Sequence, residues 1–348
     1  MGSETELKLG LLPEYSEEVT ALPLLEQLSY AEPERRTLTN IYYDTSAQDL
    51  RRARVALRIR RDGERYIQTL KSAGNGQAGL SVRNEWEWER PEPSLDTDLL
   101  REHLPPALCD DSLLASLQPA FETDFERHLW WLGGESEEGA WQVEVALDRG
   151  EIRAGERRMP LCELELELKS GQSDQLFHLA LEIARQLPVQ VCDASKAQRG
   201  YELAGAAASL PSVAPGFDGD ATLSLVRLIG DCLRAWPVQL EAAMAGDEQA
   251  LQALARTLDL QLVALESLPE VAEHCQVLIS QYQRLRADVA RAHDWRLLDC
   301  MPQAWQHTQR DAGLKLLQGL RHKTLPGQLA LATGELLWQI VDDEAVDG

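Results

Sequence analysis

Cysteine is sparse and unpatterned in this chain of 348 residues. The six (Cys109, Cys162, Cys192, Cys232, Cys275 and Cys300) include no C-x-x-C pair. Neither a zinc site nor a disulfide framework is indicated, and a reducing cytoplasm is the expected compartment. No apolar run approaches the ~18 residues of a membrane span. Residues 1–6 carry no basic-then-apolar leader and no Ser or Thr at the sixth position for myristoylation, so no membrane partner is expected. Basic residues are also in deficit: 34 Lys and Arg stand against 57 Asp and Glu, a net charge of −23. That balance argues against sequence-independent nucleic-acid binding. The glycine-rich stretch 74–79 (GNGQAG) is not followed by Gly-Lys-Ser/Thr, so it reads as a flexible hairpin loop and not as a P-loop. No Ser/His/Asp nucleophile stands out. His128 and His178 lie outside every charged motif and read as surface or packing residues.

What is present divides at residues 205–221 (GAAASLPSVAPGFDGDA), where small residues, Gly and Pro mark a linker. Before it, apolar and polar residues alternate with period two in eight runs: 4–9, 41–44, 55–60, 66–71, 82–89, 121–131, 141–148 and 161–168. Helical stretches are expected around 16–29 and 174–186. After the linker the period becomes helical over 223–235, 249–268, 271–291, 304–320 and 328–341. Pro237, Pro269, Pro302 and Pro326 are expected to separate those helices into a bundle of about five.

The strands are unusual in their polar face. Glu4, Glu6 and Lys8 share one face of the first run; Arg58 and Arg60, then Thr69 and Lys71, do so in later ones. Arg83, Glu85, Glu87 and Glu89 alternate with Trp86 and Trp88. Glu144 shares a face with Asp148, and Glu163, Glu165 and Glu167 alternate with leucines. Residues two apart on a strand point the same way, roughly 7 Å apart. On an exposed sheet such rows are solvated and screened. Inside a closed barrel an acidic row demands cations and a basic row demands anions. A lumen with an acidic wall and a basic wall would suit a metal complex of a polyanion. Carboxylates offer hard oxygen ligands to Mg²⁺ or Mn²⁺, while Arg and Lys offer charge-assisted hydrogen bonds to phosphate. Periodicity alone leaves both readings open.

The spellings of these runs resemble one family. The opening Glu4-Thr5-Glu6-Leu7-Lys8 resembles the E-x-E-x-K signature of the CYTH superfamily, the triphosphate tunnel metalloenzymes. Residues 40–45 (NIYYDT), 57–60 (LRIR), 69–71 (TLK), 83–87 (RNEWE), 147–150 (LDRG), 162–168 (CELELEL) and 195–201 (SKAQRGY) resemble successive family strands in the family's order. The similarity covers residues 1–205. It implies an α+β protein: an eight-stranded antiparallel β-barrel forming a tunnel with flanking helices, then an all-α bundle. The 206–220 segment would be the linker. Residues 221–348 resemble a short, degenerate CHAD domain, with Arg284, Arg286, Arg291, His293, His307, Arg310, Arg321, His322 and Lys323 as its basic set.

The resemblance implies a metal-dependent inorganic triphosphatase that hydrolyses tripolyphosphate to pyrophosphate and phosphate. A nucleoside or thiamine triphosphatase or an adenylate cyclase of the same family is the second reading, and a non-catalytic polyphosphate-binding module is the reading from another class. The implied metal ligands for Mg²⁺ or Mn²⁺ are Glu4, Glu6, Asp148, Glu163, Glu165 and Glu167, with the register of the last three left open. Lys8, Arg58, Arg60, Lys71, Arg83, Arg127, Lys196 and Arg199 would bind substrate. Lys8, Glu4 and Glu6 would be catalytic, Lys8 assisting if neighbouring cations lowered its pKa. Polyphosphate or a protein is the partner class expected for the helical domain.

Overall fold

A computed structural model of the chain describes residues 2–72, 74–136, 139–206, 209–268, 275–298 and 300–346. Two compact units are present. One comprises residues 1–176 and 192–208; the other comprises 177–191 and 209–348.

The first unit is a closed antiparallel barrel. Its strands are β1 (Gly2–Gly10), β2 (Glu34–Asp44), β3 (Ala56–Asp62), β4 (Arg65–Lys71), β6 (Leu80–Arg90), β7 (Gln118–Ser136), β8 (Gly139–Ala154) and β9 (Arg157–Ser170); a three-residue strand β5 (Asn75–Gln77) folds back on β6. That short strand stands where a plain loop was expected. The order around the wall is β1-β9-β8-β7-β2-β3-β4-β6, and β6 pairs with β1 to close it. All eight expected strands are present, each longer than its alternating run because strand ends add residues without periodic signal.

The register sets which side chains meet. Lys8 lies opposite Glu165 and Glu6 opposite Glu167. Glu4 faces Arg83, Arg127 faces Asp148 and Asp148 faces Glu163. Asn40 faces Arg60 on one side and Thr123 on the other. Directly opposed residues share a face, so every charged row named above lies on one side of the wall, the inner side. On β1 and β9 the outer side is mainly apolar, while on β2, β7 and β8 it also carries charged residues such as Arg35, Asp124, Glu126 and Arg153. Leu7, Leu9, Leu164 and Leu166 are fully buried. Leu57 and Leu70 pack with Leu50, Leu100, Leu104, Leu108 and Leu114 from the short helical segments around Asp49–Arg52, Asp98–Arg101 and Asp111–Ala115. Trp86 and Trp88 lean on that cluster, Trp86 stacked on His103 at 4.8 Å.

Toward one end the inner row turns apolar. Leu38, Tyr42, Phe121, Phe125, Ile152 and Leu161 close around Ala197 and Tyr201 of helix Lys196–Leu203. This helix corrects the sequence reading, which counted 195–201 among the strands. Ser195 caps it by accepting from the Gln198 amide at 3.1 Å, the usual N-terminal device. Gly200 sits where a Cβ would lie 2.1 Å from the Phe121 ring, so the close approach of helix to barrel requires glycine. Gly150 plays the same part inside the wall, where a Cβ would lie 2.1 Å from the Asp124 carbonyl oxygen.

Among the described residues the second unit contains helices Ala221–Met244, Glu248–Ser267, Gln276–His293, Gln303–Gly319 and Leu325–Val346. Asp220 and Asp247 cap the first two. Pro237 does not end its helix as expected; the helix runs through it to Met244. Proline removes one backbone donor, and the buried Trp236 and Leu240 on either side hold the helix in place. Pro269 and residues 271–274 lie outside the described residues. Pro302 caps the next helix, and Pro326 sits in the first turn of the last. Several of the basic residues of the tail pair with acids of the same unit: Arg286 with Asp259, Arg291 and Lys323 with Asp288, Arg310 with Glu248, Arg321 with Glu241. Among the described residues no helix is long and apolar enough to cross a membrane.

Candidate active site

The barrel lumen gathers the charged side chains that the strand periodicity singled out. Their signs are not separated into two walls as expected. Acids and bases alternate around the lumen, because a row of like charges in a poorly solvated space is stable only when each carboxylate has a cation beside it. Glu4 accepts from Lys71 Nζ at 2.8 Å and from Arg83 Nε at 3.2 Å. Glu6 pairs with Arg83 and lies 3.3 Å from Lys8 Nζ. Lys8 also reaches Glu165 at 3.5 Å and so links the acids of β1 to those of β9.

Asp148, Glu163 and Glu165 form the densest acidic group. One carboxylate oxygen from each lies within 4.8 Å of the others. Arg127 donates to both Asp148 oxygens at 2.7 Å and to Glu165 at 2.6 Å. Lys196 Nζ lies 2.6 Å from Asp148 and 2.9 Å from Glu165, and pairs with Glu163 as well. Arg199 pairs with Glu163. Glu167 stands apart from this group, 28% exposed, with Lys169 Nζ at 2.6 Å. Its burial raises its pKa, against the pull of Lys169.

Burial by itself would raise the Glu165 carboxyl, but Lys196, Lys8 and Arg127 outweigh it and hold it well below the usual range. Burial would lower the Lys8 ammonium, but Glu6, Glu165 and Glu163 outweigh it and hold it up. The condition under which Lys8 was expected to assist, a pKa lowered by cations, is therefore not met: its nearest neighbours are carboxylates. Lys8 is a fixed positive charge.

Arg58 and Arg60 differ from the other cations. Arg58 is 7% exposed, yet its nearest carboxylates are 3.7 and 4.0 Å away, on Glu85 and Glu87. Its Nε has no partner among the described residues, and Nη1 only grazes the Tyr42 hydroxyl at 3.5 Å. Arg60 donates to Asn40 Oδ1 at 3.1 Å. Burial, then the like charges of Arg58 and Arg127, push its guanidinium down to about 10. Two adjacent guanidiniums, one paired only loosely with carboxylates and the other bonded to a neutral amide, offer a receptor for an anion.

Every residue expected at the site except Glu167 joins this inner network, and Glu167 sits at its rim. The sequence patterns took Arg83 from β6 but not Glu85 or Glu87, which alternate with it. Glu85 takes Lys71 at 2.9 Å, and Glu87 accepts from Thr69 at 3.1 Å. Tyr42 and Asn40, inside the NIYYDT run, were also passed over. The same period-two rule points to all four. Asp44 of the same run is structural: its carboxylate accepts from the amides of Thr45, Leu50 and Arg51 and from the Tyr201 hydroxyl.

A closed eight-stranded antiparallel barrel with an ionised lumen defines a tunnel protein. The CYTH domain matches residues 2–201, and the chain belongs to the CYTH family. A curated relative, an inorganic triphosphatase of Haemophilus influenzae, is 34% identical over 203 residues, which is 58% of this chain and 55% of that protein. The chain thus spans about half the length of the curated relative it matches. Similar solved structures include a putative adenylyl cyclase from Hippeastrum with a dominant triphosphatase activity (21% identical, 57% of this chain and 95% of that one, TM-score 0.41). A putative adenylate cyclase from Bacillus halodurans is also similar (21% identical, 57% and 98%, TM-score 0.33).

Proposed function

We propose that the chain is a metal-dependent inorganic triphosphatase, cleaving tripolyphosphate to pyrophosphate and phosphate within the barrel lumen. The observation that carries this reading is the inward pair Arg58 and Arg60, the first held only loosely by carboxylates and the second bonded to a neutral amide, in the same lumen as three clustered carboxylates. The inorganic substrate is chosen on the similarity to the triphosphatase of H. influenzae.

The donor set fits a hard divalent cation: Asp148, Glu163 and Glu165 present only carboxylate oxygens, closely grouped. These three, with Glu4 and Glu6, would hold Mg²⁺ or Mn²⁺. An ion held there would supply positive charge to offset the negative charge that develops in transfer. The chain's own cations do the rest. Arg58 and Arg60 take non-bridging oxygens of the triphosphate. Lys71, Arg83 and Lys8 neutralise further charge along it, and Arg127 and Arg199 hold Asp148, Glu165 and Glu163 in place. Water attacks the terminal phosphorus, the bond to the bridging oxygen breaks, and pyrophosphate leaves with that oxygen. No side-chain nucleophile is needed, since phosphoryl transfer depends chiefly on positioning and electrostatics. On this reading residues 1–205 are the catalytic unit, 206–220 a linker, and 221–348 a CHAD-like module.

Phosphate release from tripolyphosphate, ATP and thiamine triphosphate, each with Mg²⁺ or Mn²⁺ and with a parallel assay for cyclic AMP, tests the reading. Tripolyphosphate is expected to give the highest kcat/KM, and excess chelator to abolish it. Glu165→Gln is expected to lower turnover at least about 100-fold with the fold retained. Tight tripolyphosphate binding without turnover in either metal would sink the enzymatic reading in favour of a binding module.

A further inference from the structure

The acidic trio of the lumen is already charge-balanced from within. Asp148, Glu163 and Glu165 meet Lys196, Arg127 and Arg199. These cations are not equivalent. Arg127 reaches two of the three carboxylates, and Arg199 reaches only Glu163. Among the described residues Lys196 alone touches all three. Its ammonium therefore stands at the centre of the oxygen cage, in the place suited to a cation held by all three acids. Phe125 lies beneath it, ring centroid 5.2 Å from Nζ. Lys196 opens a helix seated in the apolar end of the barrel through Ala197 and Tyr201.

An ammonium is a point charge on a flexible four-carbon stem, whereas the Arg127 guanidinium is locked by a two-bond fork on Asp148. A divalent ion entering beside an unmoved Lys196 would meet full positive repulsion. Removing Lys196 leaves three carboxylates with two guanidiniums, the Lys8 ammonium 3.5 Å from Glu165, and a space of ammonium size.

We propose that Lys196 is a displaceable internal counter-ion: it fills the carboxylate cage in the metal-free protein, leaves when a divalent ion enters, and transfers its charge to the triphosphate that comes with the ion. The inference rests on the metal-dependent reading above and adds to it the competitor that sets metal affinity. It explains why the cage is stable without metal, and it makes metal and substrate mutually supportive, since the freed ammonium gains a new partner in the phosphate.

The test is Mn²⁺ binding to the full chain without substrate, read from the electron paramagnetic resonance signal of free Mn²⁺, for wild type, Lys196→Met and Lys196→Arg. Lys196→Met is expected to bind Mn²⁺ on the order of 30-fold more tightly, the scale of the repulsion that a divalent ion and a unit charge ~4 Å away would feel under water-like screening. Lys196→Arg keeps the charge and is expected to show no such gain. Should Lys196→Met fail to fold in chelator, millimolar Mn²⁺ is expected to restore folding by circular dichroism. A variant that stays unfolded with Mn²⁺, equal or weaker Mn²⁺ affinity in Lys196→Met, or equal tightening in Lys196→Arg would overturn the counter-ion role. If wild type and Lys196→Met both failed to bind Mn²⁺ at all, the metal reading beneath it would fall too.

Discussion

Asp44→Asn probes how the barrel positions the helix that carries Lys196 and Arg199. The Asp44 carboxylate is 1% exposed and accepts four hydrogen bonds. Oδ1 takes the amides of Thr45 at 2.7 Å and Leu50 at 2.9 Å; Oδ2 takes the amide of Arg51 at 3.0 Å and the Tyr201 hydroxyl at 2.8 Å. Asparagine is nearly isosteric and can keep the first two. Its amide nitrogen then faces the Arg51 N–H, donor against donor, while the Tyr201 hydroxyl can rotate to accept. One charge-assisted bond is lost outright, a buried donor is stranded, and the remaining bonds lose their ionic partner. Bonds to charged groups are worth ~1.5–3 kcal/mol, so a cost of about 2–4 kcal/mol is expected. At a urea slope near ~2 kcal/mol/M, the unfolding midpoint falls by about 1–2 M. Amide exchange should rise through helix Lys196–Leu203, because Tyr201 ties that helix to Asp44. Tyr201→Phe removes only the tether and should cost about 1 kcal/mol. A midpoint for Asp44→Asn within about 0.2 M of wild type would refute the reasoning.

Other expectations follow from neighbouring contacts. Arg58→Ala should raise KM for tripolyphosphate at least about ten-fold with a smaller effect on kcat, given the strength of charge-assisted phosphate contacts; an unaltered KM would place Arg58 away from the substrate. Gly200→Ala drives a Cβ into the Phe121 ring and should lower stability by about 1–3 kcal/mol, measured by urea unfolding. Burial raises the Glu87 carboxyl, but Arg58 and Arg60 and the Thr69 hydrogen bond outweigh it, so its pKa is lower folded than unfolded. Such a group stabilises the fold above its unfolded value near 4.5 and loses that contribution as pH falls through the lower folded value. The stability gap between wild type and Glu87→Gln should therefore close as thermal melts are taken from neutral pH to below 4.5; a gap that widens there contradicts the sign.

The fold was legible because the strands carry signal on both faces. Leu7 and Leu9 against Glu6 and Lys8, or Leu164 and Leu166 against Glu163 and Glu165, give period two even though neither side faces open water. The inverted arrangement, charge inside and leucine outside, cannot be read from alternation, since an ordinary half-exposed sheet has the same spelling. Ser195 at an N-cap position was the available sign that 195–201 is helical, but seven ordered matches to strands overrode it. The short helical segments 98–101 and 111–115 span too few residues for a 3.6 period to show. At the site, alternation names the inward residues but not their partners. That Lys196 and not Lys8 centres on Asp148, Glu163 and Glu165, and that Glu167 falls outside, depends on where helix Lys196–Leu203 enters the barrel. Likewise, Arg58 and Arg60 look no different in sequence from Arg83; only the lumen shows that Arg83 is paired closely with Glu4 and Glu6, while Arg58 meets Glu85 and Glu87 only at 3.7 and 4.0 Å and Arg60 bonds to a neutral amide.

Crystals grown with tripolyphosphate and Mn²⁺ using the Glu165→Gln chain, and wild-type crystals with Mn²⁺ alone, would locate anion and ion directly. The expected result is phosphate density against Arg58 and Arg60, and a Mn²⁺ anomalous peak among Asp148, Glu163 and Glu165 in the wild type. Density for both confined to the outer surface, with the lumen's ion pairs undisturbed, would contradict the account.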